Sequence, residues 1–381
     1  MKTKLAIIGA SELQNPLILK AKEMGCETHV FAWKAGDVGE ETADFFYPIS
    51  ITEKEEILAK CREIGIDGIT TIGSDLATVA VCFVADALGL PGNSLKCNLV
   101  STNKHEMRRC FEENGDPSPK SIMVESIQDL EGVSLDYPVI VKPLDRSGSR
   151  GITKVESWSG LESAIEAAKE TGFDKHALVE EFAEGEEFSV EFISFEGTHH
   201  FLAMTKKYTT GAPHFIETGH MEPAEVSEET LNRVIEVINH ALTSLKITTG
   251  ASHSEVKIDE AGNIRIIEIG ARMGGDFIGS DLVFLSTGMD FLQGVVNCAL
   301  GKPPVFPKIR QKRVAAVSYI LNQQDIQRYQ RLCQTHPEFI VSADVPATVS
   351  GEVSDSSTRF GYFIMAAERK EDLEEYLPQI L

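Results

Sequence analysis

Two glutamates in a predicted β-hairpin are the residues of this sequence best placed to do chemistry. The segment "SEVKIDEAGNIRIIEIGARMGGD" predicts two strands joined by the turn "DEAGN", whose glycine and asparagine tolerate a positive φ. If the turn centres between Ala261 and Gly262, Glu255 lies directly opposite Glu268, with Cβ atoms ~5 Å apart on one face. Carboxylates this close repel each other and favour a bound cation, and their hard oxygens suit Mg²⁺.

An arginine favours this cation site over its alternative, in which one of the two glutamates faces water. Spacing alone does not choose between the two interpretations. Arg272 follows Glu268 by four residues, which predicts the same face of the strand. Two carboxylates and an arginine on one face would hold a metal ion and a polyphosphate together, and the arginine would neutralise charge on a transferred phosphoryl group.

A glycine-rich loop, "DRSGSRG" at residues 145–151, follows the apolar run "YPVIVKP". It is neither a P-loop nor a Rossmann turn, since it lacks the spacing of both motifs. A turn of this kind between two strands can direct backbone N–H groups at an anion, and Ser147 and Ser149 add hydroxyls. Lys142 closes the apolar run as either an exposed strand end or a phosphate ligand, and the neighbouring loop favours the ligand.

An acidic segment, "ALVEEFAEGEEFSVEF", supplies candidates for the rest of a nucleotide. Its apolar strand leads into Glu180 and Phe182, and a second acidic pair that includes Glu187 follows. A strand, a short connector and a strand could form a hinge over adenine, with Glu180 and the backbone contacting the base edge and a later glutamate binding the ribose. Taken alone, such an acidic run is more often a solvated loop.

Composition narrows the possible partners. The net charge of −22 argues against nucleic acid and against anionic membranes, because both require clustered lysine and arginine. The N-terminal "MKTKLAIIGASE" is too short in its apolar part for a signal peptide or a membrane span. Seven cysteines without a C-x-x-C pair predict buried free thiols in a reducing compartment. We therefore expect a cytoplasmic protein with small-molecule partners.

The elements that must position these residues follow from the hydrophobic pattern. The first hundred residues alternate short apolar strands with amphipathic helices, which predicts a parallel sheet with helices on its faces. "GASELQ" after the first strand lacks the later glycines of a dinucleotide motif, which disfavours a dehydrogenase. A helix is predicted to end at Asn114-Gly115, and another to begin after Ser227 as N-cap. The proline-rich "LGKPPVFPK" leads into a last, smaller α+β segment.

In combination and order, five segments resemble the ATP-grasp superfamily over roughly residues 1–300. They are "NKHEMRRCFEENGDPSPK", "YPVIVKPLDRSGSRGI", "LVEEFAEGEEFSVE", "HFIETGHMEP" and "SEVKID…RIIEIGARMGGD". The resemblance is closest to carboxylate–amine ligases of the L-amino-acid ligase type, with D-alanine–D-alanine ligase and biotin carboxylase more distant.

This resemblance implies a fold of mixed α/β and α+β class. A Rossmann-like pre-ATP-grasp domain would span residues 1–100. A two-lobed ATP-grasp domain would span 101–303, with a lid lobe at about 115–178, and a small C-terminal α+β segment would span 304–381. A homodimer is a further family-level expectation.

The resemblance also implies roles for individual residues. The ATP-binding positions would be Lys104 and Lys142 for the phosphates, Ser147, Gly148 and Ser149 for a flap over them, Glu180 and Phe182 for adenine, and Glu187 for ribose. The catalytic positions would be Arg272, Lys142 and, near the substrate, His220. The metal positions would be Glu255 and Glu268, holding Mg²⁺ with Mn²⁺ as a substitute. Substrate-binding residues are expected in "TKKYTTGAPHFIETGH" and "MGGDFIGSD".

The implied reaction is ATP-dependent amide formation between a carboxylate and an amine, expected to be amino acids, through an acyl phosphate. One position departs from many members, because Gly270 stands where they carry an asparagine that ligates metal. Two alternatives stay open. One is a carboxylase acting through carboxyphosphate, weakened by the absence of a biotin-acceptor M-K-M, and the other is an ATP-binding protein without turnover, which Gly270 motivates.

Overall fold

The computed structural model describes residues 2–146, 148, 150–212, 215–308 and 313–378. Strands within these ranges form three sheets: a four-stranded parallel sheet, a four-stranded antiparallel sheet and an eight-stranded antiparallel sheet. The mixed α/β and α+β class expected from the sequence is confirmed.

The N-terminal sheet is the predicted parallel one, with strand order β3-β2-β1-β4. Its strands are β1 (Lys4–Ile8), β2 (Glu27–Phe31), β3 (Phe45–Tyr47) and β4 (Gly68–Thr70), and its helices are α1 (Asn15–Glu23), α2 (Val38–Thr42), α3 (Lys54–Ile64) and α4 (Asp75–Leu88). The sequence did not predict β3 and α2, because elements this short carry too little periodicity to be recognised. The other strands and helices of this sheet are confirmed.

Two capped helices, α5 (Leu95–Thr102) and α6 (Lys104–Asn114), lead out of the parallel sheet. The side chain of Asn103 begins α6 by accepting hydrogen bonds from the backbone N–H groups of His105 and Glu106. Gly115 ends the helix with a φ of 76°, in the left-handed region, so the predicted end is confirmed. Lys104 therefore occupies the first position of a helix whose start is fixed by its cap.

The smaller antiparallel sheet has the order β5-β8-β6-β7. Its strands are β5 (Ser121–Val124), β6 (Val139–Pro143), β7 (Thr153–Val155) and β8 (Ala177–Glu181), and α7 (Leu161–Thr171) covers it. Ile165 of α7 is buried in one cluster with Val141 of β6 and Val179 of β8. This core fixes the two central strands, which carry Lys142 and Glu180.

The large sheet has the order β13-β12-β9-β10-β11-β14-β16-β15. Its strands are β9 (Glu186–Phe195), β10 (Thr198–Thr209), β11 (Glu217–Glu222), β12 (Gly250–Ile258), β13 (Ile264–Gly270), β14 (Val314–Ile320), β15 (Ile340–Asp344) and β16 (Gly361–Ala367). The remaining α-helices along the described chain are α8 (Glu228–Ser244), α9 (Val283–Thr287), α10 (Phe291–Ala299) and α11 (Gln323–Thr335). Because β14 pairs with β11, the C-terminal strands continue this sheet.

Helix α8 packs against the large sheet as its pattern predicts. The Ser227 hydroxyl accepts a hydrogen bond from the backbone N–H of Thr230 at 3.0 Å, which confirms the predicted N-cap. Val234, Ile238 and Leu242 are buried in one cluster with residues of α6, β9 and β12. The stripe is therefore core, as expected, and holds α6 near the sheet.

All seven cysteines are free thiols, as predicted. Five are buried and Cys110 is half-buried, but Cys333 is exposed, so the expectation of burial is wrong for that residue. Within the described ranges, no helix combines the length and the apolar character needed to cross a membrane.

Glu222, the last residue of β11, is a carboxyl group enclosed in the core. Thr205 Oγ1 donates a hydrogen bond to its Oε2 at 2.7 Å, and Ser286 Oγ donates to its Oε1 at 2.5 Å. Burial raises the pKa of Glu222 to about 8, because the two hydroxyls recover only part of the lost hydration. Glu222 is therefore largely protonated at neutral pH.

We expect Glu222→Gln to gain stability relative to the wild type as pH rises. A folded pKa above the unfolded value means that the folded protein binds the proton more tightly, so the wild type loses stability between about pH 4.5 and 8. Glutamine does not titrate, so urea unfolding at pH 5 and pH 8 should show the difference in unfolding free energy widening by on the order of 3 kcal/mol. A difference that stays constant with pH would contradict the buried, protonated carboxyl.

Candidate active site

Most of the predicted site residues converge on one cavity between the two antiparallel sheets. The predicted residues that line it are Lys104, Lys142, Gly148, Glu180, Phe182, Glu187, Glu255, Glu268 and Arg272. His220 lines an adjoining cavity, which shares Gly148, Glu255 and Arg272 with the first. Ser147 and Ser149 lie outside the described residues.

Glu255 and Glu268 face each other across the β12–β13 hairpin, as predicted, but the local geometry that achieves this differs. Next to the turn the strands pair about Ala261, half a residue from the predicted centre. A β-bulge between Glu255 and Val256 then shifts the pairing by one residue and brings the two glutamates opposite each other. Without the bulge, Glu255 would lie opposite Ile267, with Glu268 on the other face.

Each of these glutamates is paired with a lysine. Lys104 Nζ donates to Glu268 Oε1 at 2.8 Å and to the Arg146 carbonyl oxygen at 2.7 Å. Lys207 Nζ donates to Glu255 Oε1 at 2.7 Å. No group of three or more histidine, cysteine, aspartate or glutamate side chains suited to a metal is found in the described part of the chain. The two carboxylates would suit Mg²⁺ as two of its oxygen ligands, and phosphate and water oxygens would complete its coordination.

Lys207, on β10, is the main site residue that sequence reasoning missed. Its buried Nζ lies 2.7 Å from Glu187, 2.7 Å from Glu255 and 3.8 Å from Glu217. Burial alone would lower the pKa of Lys207, but the three carboxylates outweigh it and hold that pKa well above the ordinary value. The available signal was the second lysine of "TKKYTT", a stretch already expected to bind substrate.

Glu180 is held between two buried cations. Lys142 Nζ lies 2.5 Å from its Oε1, and Arg108 Nε donates to its Oε2 at 3.1 Å. Burial acts to raise the pKa of Glu180, but the Arg108 and Lys142 charges outweigh it and lower that pKa. Burial also lowers the pKa of Lys142, which is 3% exposed, so the exposed strand end is the wrong interpretation. Glu180 thus orients Lys142 as well as lining the predicted adenine region.

The ring of Phe182 joins the two antiparallel sheets. Lys154 Nζ, from β7, lies 4.6 Å from the ring centre, and Lys257 Nζ, from β12, lies 4.9 Å from it. Burial lowers the pKa of Lys257. The connection after β8 therefore bridges both walls of the cavity, at the place where the hinge over adenine was predicted.

Arg272 does not lie on the strand face predicted for it, because β13 ends at Gly270. Its Nε donates to Asp75 Oδ1 at 2.8 Å and its Nη2 to Asp75 Oδ2 at 3.0 Å, which is a bidentate pair. Asp75 begins α4 of the parallel sheet. Arg272 still lines the same cavity as Glu268, so the proximity was predicted correctly and the reason for it wrongly.

The adjoining cavity contains a second set of charged side chains. His220 is 1% exposed, its Nε2 lies 3.5 Å from Asp276 Oδ2, and neither ring nitrogen has a hydrogen-bond partner among the described residues. Arg359 donates to Asp276 through Nη1 at 3.0 Å and Nη2 at 2.7 Å. The guanidinium carbon of Arg359 lies 3.6 Å from the centre of the Tyr319 ring. This arrangement suits a small charged ligand.

His253 adds a cation beneath the hairpin. Its Nδ1 contacts the buried carboxylate of Glu191, and its Nε2 lies 3.7 Å from Glu255 Oε1. Burial alone would lower the pKa of His253, but the Glu191 charge outweighs it and raises that pKa to about 9. His253 is therefore charged at neutral pH and supports Glu255 from the side opposite the turn.

We expect Lys207→Met to destabilise the protein and to make its stability respond to Mg²⁺. Removing a buried partner from a charge cluster costs about 3–5 kcal/mol, because Glu187, Glu217 and Glu255 then repel one another. A cation that binds these carboxylates should recover part of the loss. Thermal unfolding with and without millimolar MgCl₂ measures both effects.

The matched control is Lys206→Met on the same strand, since Lys206 pairs with the exposed Glu186 instead of the cavity glutamates. Equal losses in the two variants, or the same Mg²⁺ response in both, would contradict the role of Lys207.

Comparison with known proteins agrees with this geometry. Residues 135–281 match the family model of the ATP-grasp domain. Alanine–anticapsin ligase of Bacillus subtilis is 24% identical over 355 residues, which cover 82% of this chain and 74% of that protein. The L-amino acid ligase structure from Bacillus licheniformis has a TM-score of 0.82 and 24% identity, covering 98% of this chain and 96% of that one.

A second similar structure contains a nucleotide. N5-carboxyaminoimidazole synthetase of Staphylococcus aureus, complexed with ADP, has a TM-score of 0.79 and 15% identity, covering 98% of this chain and 96% of that one. The matched segment contains Lys142, Glu180, Glu255 and Glu268 of the cavity. Residues 135–281 therefore match the ATP-grasp domain, as the sequence motifs predicted, and the chain shares its overall fold with these two structures.

Proposed function

We propose that this protein is an ATP-dependent carboxylate–amine ligase, which forms an amide through an acyl phosphate and releases ADP and phosphate. One observation carries the proposal: a cavity that joins paired glutamates to buried lysines opens into a second cavity containing Arg359, Asp276 and His220. The similarity to an alanine–anticapsin ligase and to an L-amino acid ligase supports amino acids as the substrate class.

The first cavity would hold the nucleotide. Lys104 and Lys142 enter it from different elements, α6 and β6, and would bind the phosphates as charge-assisted donors. Phe182 and Glu187 line the same cavity, where Phe182 would contact the base and Glu187 the ribose hydroxyls. Gly148 would belong to a flap over the phosphates, and the proposed Ser147 and Ser149 contacts lie outside the described residues.

Glu255 and Glu268 would hold Mg²⁺. When bound, Mg²⁺ would neutralise phosphate charge and orient the polyphosphate. Lys104 and Lys207 pair with these glutamates. On nucleotide binding, each lysine would exchange its carboxylate partner for a phosphate oxygen. Gly270 contributes no side-chain oxygen, so phosphate and water would supply the remaining ligands.

In the first step, a substrate carboxylate oxygen attacks the γ-phosphorus of ATP, the bond to the bridging oxygen breaks, and ADP leaves. In the second step, an uncharged amine attacks the acyl carbon, phosphate departs with the bonding electrons, and the amine nitrogen loses a proton. The protein contributes positioning and charge neutralisation, chiefly through Arg272 and the lysines. Exclusion of water would protect the acyl phosphate.

The second cavity would bind the substrates. Arg359 and Asp276 are paired with each other, and a zwitterion would bind there by placing its carboxylate against the arginine and its ammonium group against the aspartate. His220 is buried, and its Nδ1 has no hydrogen-bond partner among the described residues, so this nitrogen would be available to a ligand. The stretches "TKKYTTGAPHFIETGH" and "MGGDFIGSD" supply Lys207, His220 and Asp276 to its walls.

A phosphate-release screen over amino-acid pairs with Mg·ATP tests the function, with each amino acid alone and bicarbonate alone as comparisons. We expect release to require a particular pair, and mass spectrometry to find the amide. Release that depends on bicarbonate would instead indicate a carboxylase step through carboxyphosphate. Tight ATP binding with no release for any pair would indicate a binding protein without turnover.

We expect Glu268→Ala to lower substrate-dependent ADP release by at least ~10²-fold, because it removes a metal carboxylate and leaves Lys104 without its partner. The matched control is Glu260→Ala, at the exposed turn of the same hairpin, which should retain full turnover. Retained turnover in Glu268→Ala would refute the metal assignment.

A further inference from the structure

The parallel sheet contacts the active site through the loop between β4 and α4. The backbone N–H of Gly73 donates to the Met273 carbonyl oxygen at 3.1 Å. Two residues later, the Asp75 carboxylate accepts both hydrogen bonds of the bidentate pair with Arg272. Gly73 also lies directly against Gly275. Three contacts therefore dock this loop onto the segment that follows β13.

Gly270 provides the space for this docking. A Cβ atom at that position would lie 2.9 Å from Asp75 Oδ1, closer than Cβ atoms approach other atoms, and 3.3 Å from Arg272 Cζ, which is tighter than most Cβ contacts. Backbone conformation is not the reason for the glycine, since its φ is not positive. An asparagine at position 270 would therefore displace either Asp75 or Arg272.

The ion pair between Asp75 and Arg272 is largely shielded from water, so its geometry is well defined. The side chains of Asp75 and Arg272 are 17% and 13% exposed. Two of the three guanidinium nitrogens are held by one carboxylate, and a bidentate pair of this kind fixes the plane of the guanidinium as well as its position. Arg272 also lines both cavities. The orientation of its guanidinium toward them is thus set by Asp75.

We propose that Asp75 is a positioning residue for Arg272, and that the parallel sheet serves the reaction by holding this arginine at the γ-phosphate end of the nucleotide cavity. The inference rests on the proposed function in one respect, the assignment of Arg272 to the transferred phosphoryl group. Asp75 itself acts through Arg272 and contacts neither substrate.

The proposal also gives Gly270 a role. A glycine at position 270 removes one potential oxygen ligand for a metal. It also leaves space for Asp75 of helix α4, which holds the Arg272 guanidinium. Gly270, Asp75 and Arg272 therefore form one unit, and a change at any of the three should alter how the terminal phosphate is bound.

Asp75→Asn tests this by nucleotide binding. Asparagine is nearly isosteric but has lost the charge and one acceptor oxygen. Calorimetric titration with Mg·AMP-PNP and with Mg·ADP should show the first affinity falling by about tenfold or more and the second changing by less than about twofold, since only AMP-PNP carries a γ-phosphate. Equal changes for both nucleotides, or no change for either, would overturn the positioning role.

The matched control is Ser74→Ala. Ser74 caps the same helix by accepting a hydrogen bond from the Ala77 N–H, whereas the hydrogen bonds of the Arg272 guanidinium go to Asp75 and to the Met273 carbonyl oxygen. Both affinities should therefore stay at wild-type values. A selective loss of AMP-PNP affinity in Ser74→Ala would show that helix α4 as a whole, rather than the Asp75 carboxylate, is responsible, and would overturn the proposal.

Coupling to Gly270 gives a second test that tolerates a partial loss of stability. In the wild-type background, Gly270→Asn should weaken AMP-PNP binding strongly. In the Asp75→Ala background, where the added side chain has room, the fold-loss of affinity should be at least about fivefold smaller. Additive effects would overturn the shared unit.

The affinity measurements on the Asp75 variants and the screen for ligation can fail independently of each other. A protein that releases no ADP with any substrate would refute the reaction, while the two affinities would still decide the role of Asp75. A wild-type protein that binds AMP-PNP no more tightly than Asp75→Asn does would overturn the role of Asp75 and leave the ligation to its own screen.

Discussion

Repulsion between Glu255 and Glu268 is the constraint on which the rest of the site depends. Two carboxylates directly opposite each other on one sheet face are unstable alone, and the protein brings a lysine to each of them. Lys104 comes from a capped helix and Lys207 from a different strand, so neutralising the pair requires both elements to be in place. Under the proposed function, the same two lysines would also contact the polyphosphate.

The large sheet lays out the chemistry in spatial order. From its edge inward, β13 carries Glu268, β12 carries Glu255, β10 carries Lys207, β11 carries His220 and β14 carries Tyr319. β9 lies between β12 and β10, and under the proposed function the roles run along the sheet from metal toward substrate. The smaller sheet forms the opposite wall of the cavity, where Lys142 and Glu180 form their ion pair. The site is therefore a property of sheet pairing more than of any loop.

Local features of this fold were predictable, and long-range pairings were not. The Asn114-Gly115 helix end, the Ser227 cap and the opposition of Glu255 and Glu268 depend on neighbours in sequence or on one hairpin. Even there the bulge beside Glu255 was not visible, since nothing in the residue types marks it. Lys207 with Glu255, and Arg359 with Asp276, join segments far apart in sequence. Their partners follow only from the packing of whole sheets.

The continuous pairing of β11 with β14 has an evolutionary consequence. Glu255 and Glu268 lie on strands remote from this junction, whereas His220 and Tyr319 lie on either side of it. Under the proposed function, substitutions of Tyr319, which packs against Arg359, would reshape the substrate cavity while the phosphate-binding residues stay in place. The same pairing prevents the segment from being shed, because β11 would then become an open edge with unpaired backbone groups. Substrate specificity could therefore change by substitution in such a protein, but not by loss of its C-terminal strands.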